Sequence, residues 1–181
     1  MTTQHRMMSG LLPMTASNDQ VDWEALYTAE LPRVYNFFRY RVGDDAVAED
    51  LTSTTFEKAW RGRERYRRDV AAFSTWLFSI ARNVVVDYYR RRRVETPLDD
   101  VRQHADADAL PVDAAAERRD QFAQLARLLS RLPTRERELV ALKYGAELTN
   151  REIAHLTGLS ESNVGTILHR TMHSLRAEWQ E

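Results

Sequence analysis

The chain contains no cysteine, which excludes disulfides, thiolate-bound zinc and a cysteine nucleophile. It has no glycine-rich phosphate loop and no cluster of His, Asp and Glu at metal-ligand spacing, so neither a cofactor nor an enzyme activity is implied. No run approaches the roughly 20 apolar residues of a membrane span, so no membrane insertion is expected. Met1–Met14 lacks the long apolar centre of a signal peptide. Alternation of the β type is missing throughout. These absences fit a soluble, all-α protein of a reducing cytoplasm. At 181 residues with 43% hydrophobic content, the chain can bury one core or two small ones.

Net charge is also almost absent, at −1, but it is unevenly spread. Arg61–Arg68 holds five basic residues to one acidic, and Arg82–Arg93 repeats that ratio. Val94–Glu117 reverses it, with seven acidic residues to Arg102 alone, and Leu132–Glu181 is nearly balanced at six basic to seven acidic. Phosphate neutralisation supplies much of the affinity of a free-standing DNA-binding domain. A near-neutral C-terminal segment is therefore expected to bind DNA weakly by itself.

Apolar periodicity divides the chain. Residues 1–18 are pattern-free and read as a disordered tail. From Asp19, the residues Trp23, Leu26, Tyr27, Leu31, Val34, Tyr35 and Phe38 recur at helical steps, with Pro32 a candidate break. Gly43-Asp44-Asp45 reads as a turn whose aspartates can cap a second helix, about Ala46–Trp60. A basic loop follows, and then a helix over Phe73–Arg92 with Trp76, Leu77, Ile80, Ala81, Val84, Val85 and Tyr88 inward. The segment 94–117, with Pro97 and Pro111, reads as a flexible acidic linker. A last helical block covers 118–181, with Leu132-Pro133-Thr134 as a turn and cap. The expected architecture is two small helical domains, 19–93 and 118–181, on a tether.

The sharpest local signal lies in Thr149–Arg170. A helix-turn-helix needs a small residue in its first helix, a glycine four later, and a branched apolar residue six beyond that. Ala154, Gly158 and Val164 have that spacing. Thr149 with Glu152 forms a capping box, and Ser160 can cap the second helix. Ser162, Asn163, Thr166, His169 and Arg170 then face outward, where such a helix reads the major groove. A plain helical hairpin with a glycine turn is the alternative. His169 and His173 stand at zinc spacing without a third ligand, which favours a solvated or phosphate-facing pair. In the first block, the aromatics from Phe56 to Tyr89 are expected to be mostly core, with one or two facing a base. The Arg90–Arg93 run reads as a phosphate track or a solvated helix end.

Together these strings resemble a known family. Asp50–Arg61, then Phe73-x-x-Trp76-Leu77-x-x-Ile80-Ala81-Arg82-Asn83-x-x-x-Asp87-Tyr88-x-Arg90-Arg91, resemble region 2 of bacterial sigma factors of the extracytoplasmic-function (ECF) type. Leu132-Pro133, Arg135-Glu136 and the helix-turn-helix resemble region 4. The resemblance implies a subunit of RNA polymerase that recognises and melts promoter DNA in transcription initiation, often held by an anti-sigma factor. It implies docking on core polymerase through Asp50, Leu51, Ser53, Thr54, Phe56 and Trp60. It implies −10 contacts from Arg63, Arg65, Tyr66, Arg67, Arg68, Trp76, Arg82, Asn83, Arg90 and Arg91. The −35 element falls to the helix-turn-helix residues above. Ser53 and Thr54 stand where relatives often carry glutamine and an acidic residue. Gly165 and Ile167 stand where basic residues are common, which predicts a distinctive or weak reading of the −35 element. Leu132–Arg176 alone also resembles the helix-turn-helix of LuxR-type activators, a reading that leaves Phe73–Arg93 unexplained.

Overall fold

The computed structural model describes residues 22–95 and 114–179, all helix, turn or loop with no strand among them. The expected tail and residues 96–113 of the expected linker lie outside the described residues. The elements are α1 (Trp23–Val42), α2 (Asp45–Arg61), a 3-10 turn (Arg63–Arg65) and α3 (Phe73–Glu95). After them come α4 (Ala114–Arg131), α5 (Thr134–Val140) running into a π turn (Ala141–Gly145), α6 (Asn150–Thr157) and α7 (Glu161–Trp179). Helix thus occupies residues 94–95 and 114–117, which the composition had assigned to the linker.

Local chemistry accounts for most boundaries. Asp22 caps α1 by accepting from the Ala25 amide at 3.0 Å, and Asp44 caps α2 through the Val47 amide at 2.8 Å. Gly43 closes α1 at φ 74°, a left-handed conformation that favours glycine. Pro32 does not break α1: both it and Thr28, whose carbonyl loses its amide partner, lie on the exposed face where water can replace the bond. Thr134 is the first residue of α5 rather than its cap, and Pro133 takes the capping position without a side-chain bond.

In the first block α1, α2 and α3 pack around Val34, Phe38, Ala48, Leu51, Leu77, Ala81 and Val84. The second block closes around Leu129, Leu139, Leu142, Leu148, Ile153, Val164 and Leu168. Burying each large apolar side chain contributes about 1.5–3 kcal/mol. The two cores are joined into one. Phe37 and Phe78, both fully buried, meet at 5.8 Å between ring centroids. The π turn lies on α1 at their side, so close that a β-carbon at Gly145 would sit 2.9 Å from the Asn36 carbonyl oxygen. Neither phenylalanine belongs to the helical stripes legible in the sequence, because they serve a second apolar face.

Candidate DNA and polymerase surfaces

The helix-turn-helix forms as its spacing predicts. Thr149 accepts from the Glu152 amide at 3.2 Å while the Glu152 carboxylate accepts from the Thr149 amide at 2.8 Å. Gly158 has φ 72° and donates to the Ala154 carbonyl at 2.9 Å. Ser160 caps α7 through the Asn163 amide at 3.2 Å, and Val164 is fully buried. Ser162, Asn163, Thr166, His169 and Arg170 are all exposed along one side of α7. Among the described residues, Arg170 has an ionic neighbour, Glu136 at 3.6 Å. Gly165 and Ile167 do not belong to that side. A β-carbon at Gly165 would face the Asn150 amide at 3.5 Å, and Ile167 packs on the core. Both are half-buried at the margins of that side. No group of three or more potential metal ligands occurs among the described residues, so His169 and His173 have no third ligand there.

The first block assembles its surface from three helices. Trp23, near the start of α1 and not singled out in the sequence, stands edge-on to Trp60, Phe73 and Trp76 at 5.5–6.3 Å. Its step in the α1 stripe marked it as apolar; only the tertiary fold brings it to this cluster. Tyr66 adds to the cluster against Phe73 and Trp76 and donates from its hydroxyl to the Ala71 carbonyl at 3.3 Å. That bond pins the loop between α2 and α3. Arg63 lies over the Trp60 ring at 4.3 Å and donates to the Trp60 carbonyl. Arg65 and Arg68 are exposed, and Arg67 pairs with Asp69 at 2.8 Å, a solvent-exposed contact that contributes little. Between α1 and α2, Trp23, Tyr27, Phe56, Trp60 and Phe73 line an apolar groove of about 540 Å³.

On α2, Asp50 and Ser53 are exposed, and Thr54 is partly so, its hydroxyl donating to the Asp50 carbonyl. Phe56 is half-buried against Tyr27, and Trp60 is 53% exposed. Leu51 is only 8% exposed and belongs to the core. On α3, Asn83, Arg90 and Arg91 are exposed and Trp76 is half-buried. Asp87 bridges Lys58 at 3.6 Å and Arg90 at 3.1 Å, tying α2 to α3. Arg82 has a different neighbourhood. It donates from Nε to Glu138 at 2.7 Å and from a terminal nitrogen to the Leu156 carbonyl, both in the second block.

Residues 26–95 match Sigma-70 region 2, and residues 122–175 match Sigma-70, region 4. The chain is 31% identical over 155 residues to the ECF RNA polymerase sigma factor SigM of Bacillus subtilis, spanning 85% of this chain and 93% of SigM. The chain belongs to the ECF sigma factor family. It is also 32% identical over 152 residues to the ECF sigma factor BldN of Streptomyces coelicolor, of which it spans 57%. Two solved structures share the fold: the sigma factor RpoE in complex with the anti-sigma factor NepR from Bartonella quintana, and CnrH in complex with the cytosolic domain of CnrY. The RpoE likeness has a TM-score of 0.66 at 20% identity, covering 88% of this chain and 97% of that one. The CnrH likeness has a TM-score of 0.60 at 24% identity, covering 86% and 84%. ECF sigma factors are not an enzyme family, and matches to both sigma regions disfavour the LuxR-type reading. No helix among the described residues is long and apolar enough to cross a membrane.

Proposed function

We propose that this protein binds core RNA polymerase in the cytoplasm and directs it to promoters as an ECF sigma factor, with no catalytic activity of its own. The observation that carries this reading is the presence in one chain of both sigma regions, each with an exposed polar or basic surface of the expected kind. Division of labour follows from chemistry. The α7 residues Ser162, Asn163, Thr166, His169 and Arg170 read the −35 element as duplex, through base edges and phosphates in the major groove. The loop Arg63–Arg68, with Asn83, Arg90 and Arg91, holds the −10 element as it opens. Extruding a base costs a few kcal/mol, and stacking on an aromatic returns about 1–3 kcal/mol per base, with arginine–phosphate contacts in addition.

Exposed Asp50 and Ser53, with Thr54 and the Phe56–Trp60 edge of α2, supply the polymerase docking surface. Leu51 supports that surface from beneath. An anti-sigma protein is a further partner, by analogy with RpoE, solved in complex with the anti-sigma factor NepR. The domain pair is 19–93 for docking and melting and 118–181 for the −35 element.

Run-off transcription with purified core polymerase tests this reading, on templates chosen by mapping transcript starts after overexpression. The expected result is initiation at defined sites only when the chain is added. Initiation that is indifferent to the chain would remove the proposal.

A further inference from the structure

One acidic side chain of the second block attends the reading helix without belonging to it. Glu136, in the first turn of α5, packs against α7. Its Oε2 accepts a hydrogen bond from the Thr171 hydroxyl at 3.1 Å, and its Oε1 lies 3.6 Å from Nη2 of Arg170. The Glu136 side chain is 24% exposed and that of Arg170 is 70% exposed, so the carboxylate is set back and the guanidinium stands out in solvent.

The partner chosen by Thr171 is unusual for this chain. Thr28, Thr52, Thr54, Thr55, Thr157 and Thr166 donate from their hydroxyls to the carbonyl four residues back in their own helices. That bond is open to any helical threonine. Thr171, 2% exposed, turns its hydroxyl across to α5 instead. A buried hydroxyl needs a partner, and here the partner is a carboxylate whose other oxygen faces an arginine of the DNA-reading side. Thr171 therefore fixes Glu136, and Glu136 fixes Arg170.

We propose that Glu136 is a positioning residue that makes Arg170 a reader of one guanine in the −35 element rather than a binder of backbone phosphate. The proposal rests on the −35 reading above and names the residue that sets its specificity. An arginine can pair with guanine O6 and N7 or with a phosphate, in both cases through two N–H donors. Charge separates the two uses. Phosphate binding draws on positive charge and counterion release, and a carboxylate at 3.6 Å offsets that charge. The donors that point outward remain, and base recognition depends on their direction. A guanidinium already held in place also loses less freedom on binding. The ion pair is too exposed on its arginine side to stabilise the fold much, so its effect falls on recognition. A second block with six basic to seven acidic residues over Leu132–Glu181 is suited to selectivity of this kind more than to adhesion.

The test is fluorescence anisotropy of holoenzyme made with the full chain, on a promoter duplex chosen by transcript mapping and altered at each upstream base pair in turn. One G·C pair should carry a preference that Arg170→Lys lowers about tenfold, because lysine cannot make the paired contact. Glu136→Gln keeps an acceptor for Thr171 and removes the charge. It should lower the preference at that same base pair about tenfold, tighten binding to unrelated duplex, and steepen the salt slope by about 0.9, one phosphate contact. Thr171→Val loosens the carboxylate without removing it, and should lower the preference with the slope unchanged. A merely structural Glu136 would give another pattern: weaker binding to every duplex alike, with a lower thermal midpoint. That pattern in Glu136→Gln, or an unaltered preference and slope, would overturn the proposal. If Arg170→Lys leaves every preference intact, the −35 reading stands and the assignment of Arg170 to a guanine is overturned. If the wild-type holoenzyme shows no preference at any upstream base pair, the −35 reading itself fails and takes this proposal with it.

Discussion

The two blocks present their binding residues in opposite ways. In the second, a capping box, a left-handed glycine and a serine cap set α7, and every residue expected to face outward does so. In the first, the surface is made from α1, α2, α3 and a loop, and several expected contact residues also have structural work. Leu51 is core, Tyr66 is bonded to Ala71, and Arg82 is held by the second block. A reader built on one motif is set by local spacing. A reader built from several helices depends on which faces meet.

The largest expected effect tests whether the blocks share a core. Phe78→Ala, at a fully buried ring touching Phe37, should cost about 3–5 kcal/mol. Calorimetry should show both blocks losing stability together. Destabilisation confined to the first block would mean that the blocks are energetically separate.

Polymerase docking comes next. Asp50→Arg reverses an exposed charge on α2 and should weaken holoenzyme assembly by about 2 kcal/mol or more, roughly thirtyfold, with the helical circular dichroism signal intact. Normal assembly on a native gel would move the docking surface elsewhere. Leu51→Arg does not make this test, since it would place a charge in the core.

The second block should yield to local changes. Gly158→Ala has space for the methyl group but must hold φ 72°, so it should cost about 1–2 kcal/mol and lower −35 affinity in the holoenzyme. Full retention of thermal stability would show that the turn tolerates a side chain. The smallest effect has the opposite sign. Gly165→Ala is half-buried, with the Asn150 side chain at ordinary contact distance, and should stabilise the helix by up to about 1 kcal/mol without altering DNA affinity. A loss of affinity would return Gly165 to the DNA-facing side.

The same contrast explains how much could be read from the chain. Helix positions, the Asp44 and Thr149 caps and the exposed side of α7 follow from spacing and short-range chemistry. Ile167 is legible as a residue that packs on the core, whereas the place of Gly165 beside the Asn150 side chain depends on how α6 meets α7. Trp23 was legible as apolar but not as the centre of the aromatic cluster. Phe37, Phe78, Arg82 and Gly145 were opaque for one reason: their roles come from contact between blocks far apart in sequence, and helical periodicity reports only that a face is apolar. The near-neutral charge of Leu132–Glu181 remains informative about DNA affinity. Free of polymerase, the chain should bind promoter DNA weakly at physiological salt, as read by fluorescence anisotropy.

Permanganate footprinting of a holoenzyme made with this chain tests the division of labour most directly. Thymines near the start site should become reactive only with chain and core together. Tyr66→Ala combined with Arg65→Gln and Arg68→Gln should abolish that reactivity while protection of the upstream duplex persists. Undiminished reactivity in the triple variant, or reactivity without the chain, would contradict the assignment of melting to the first block.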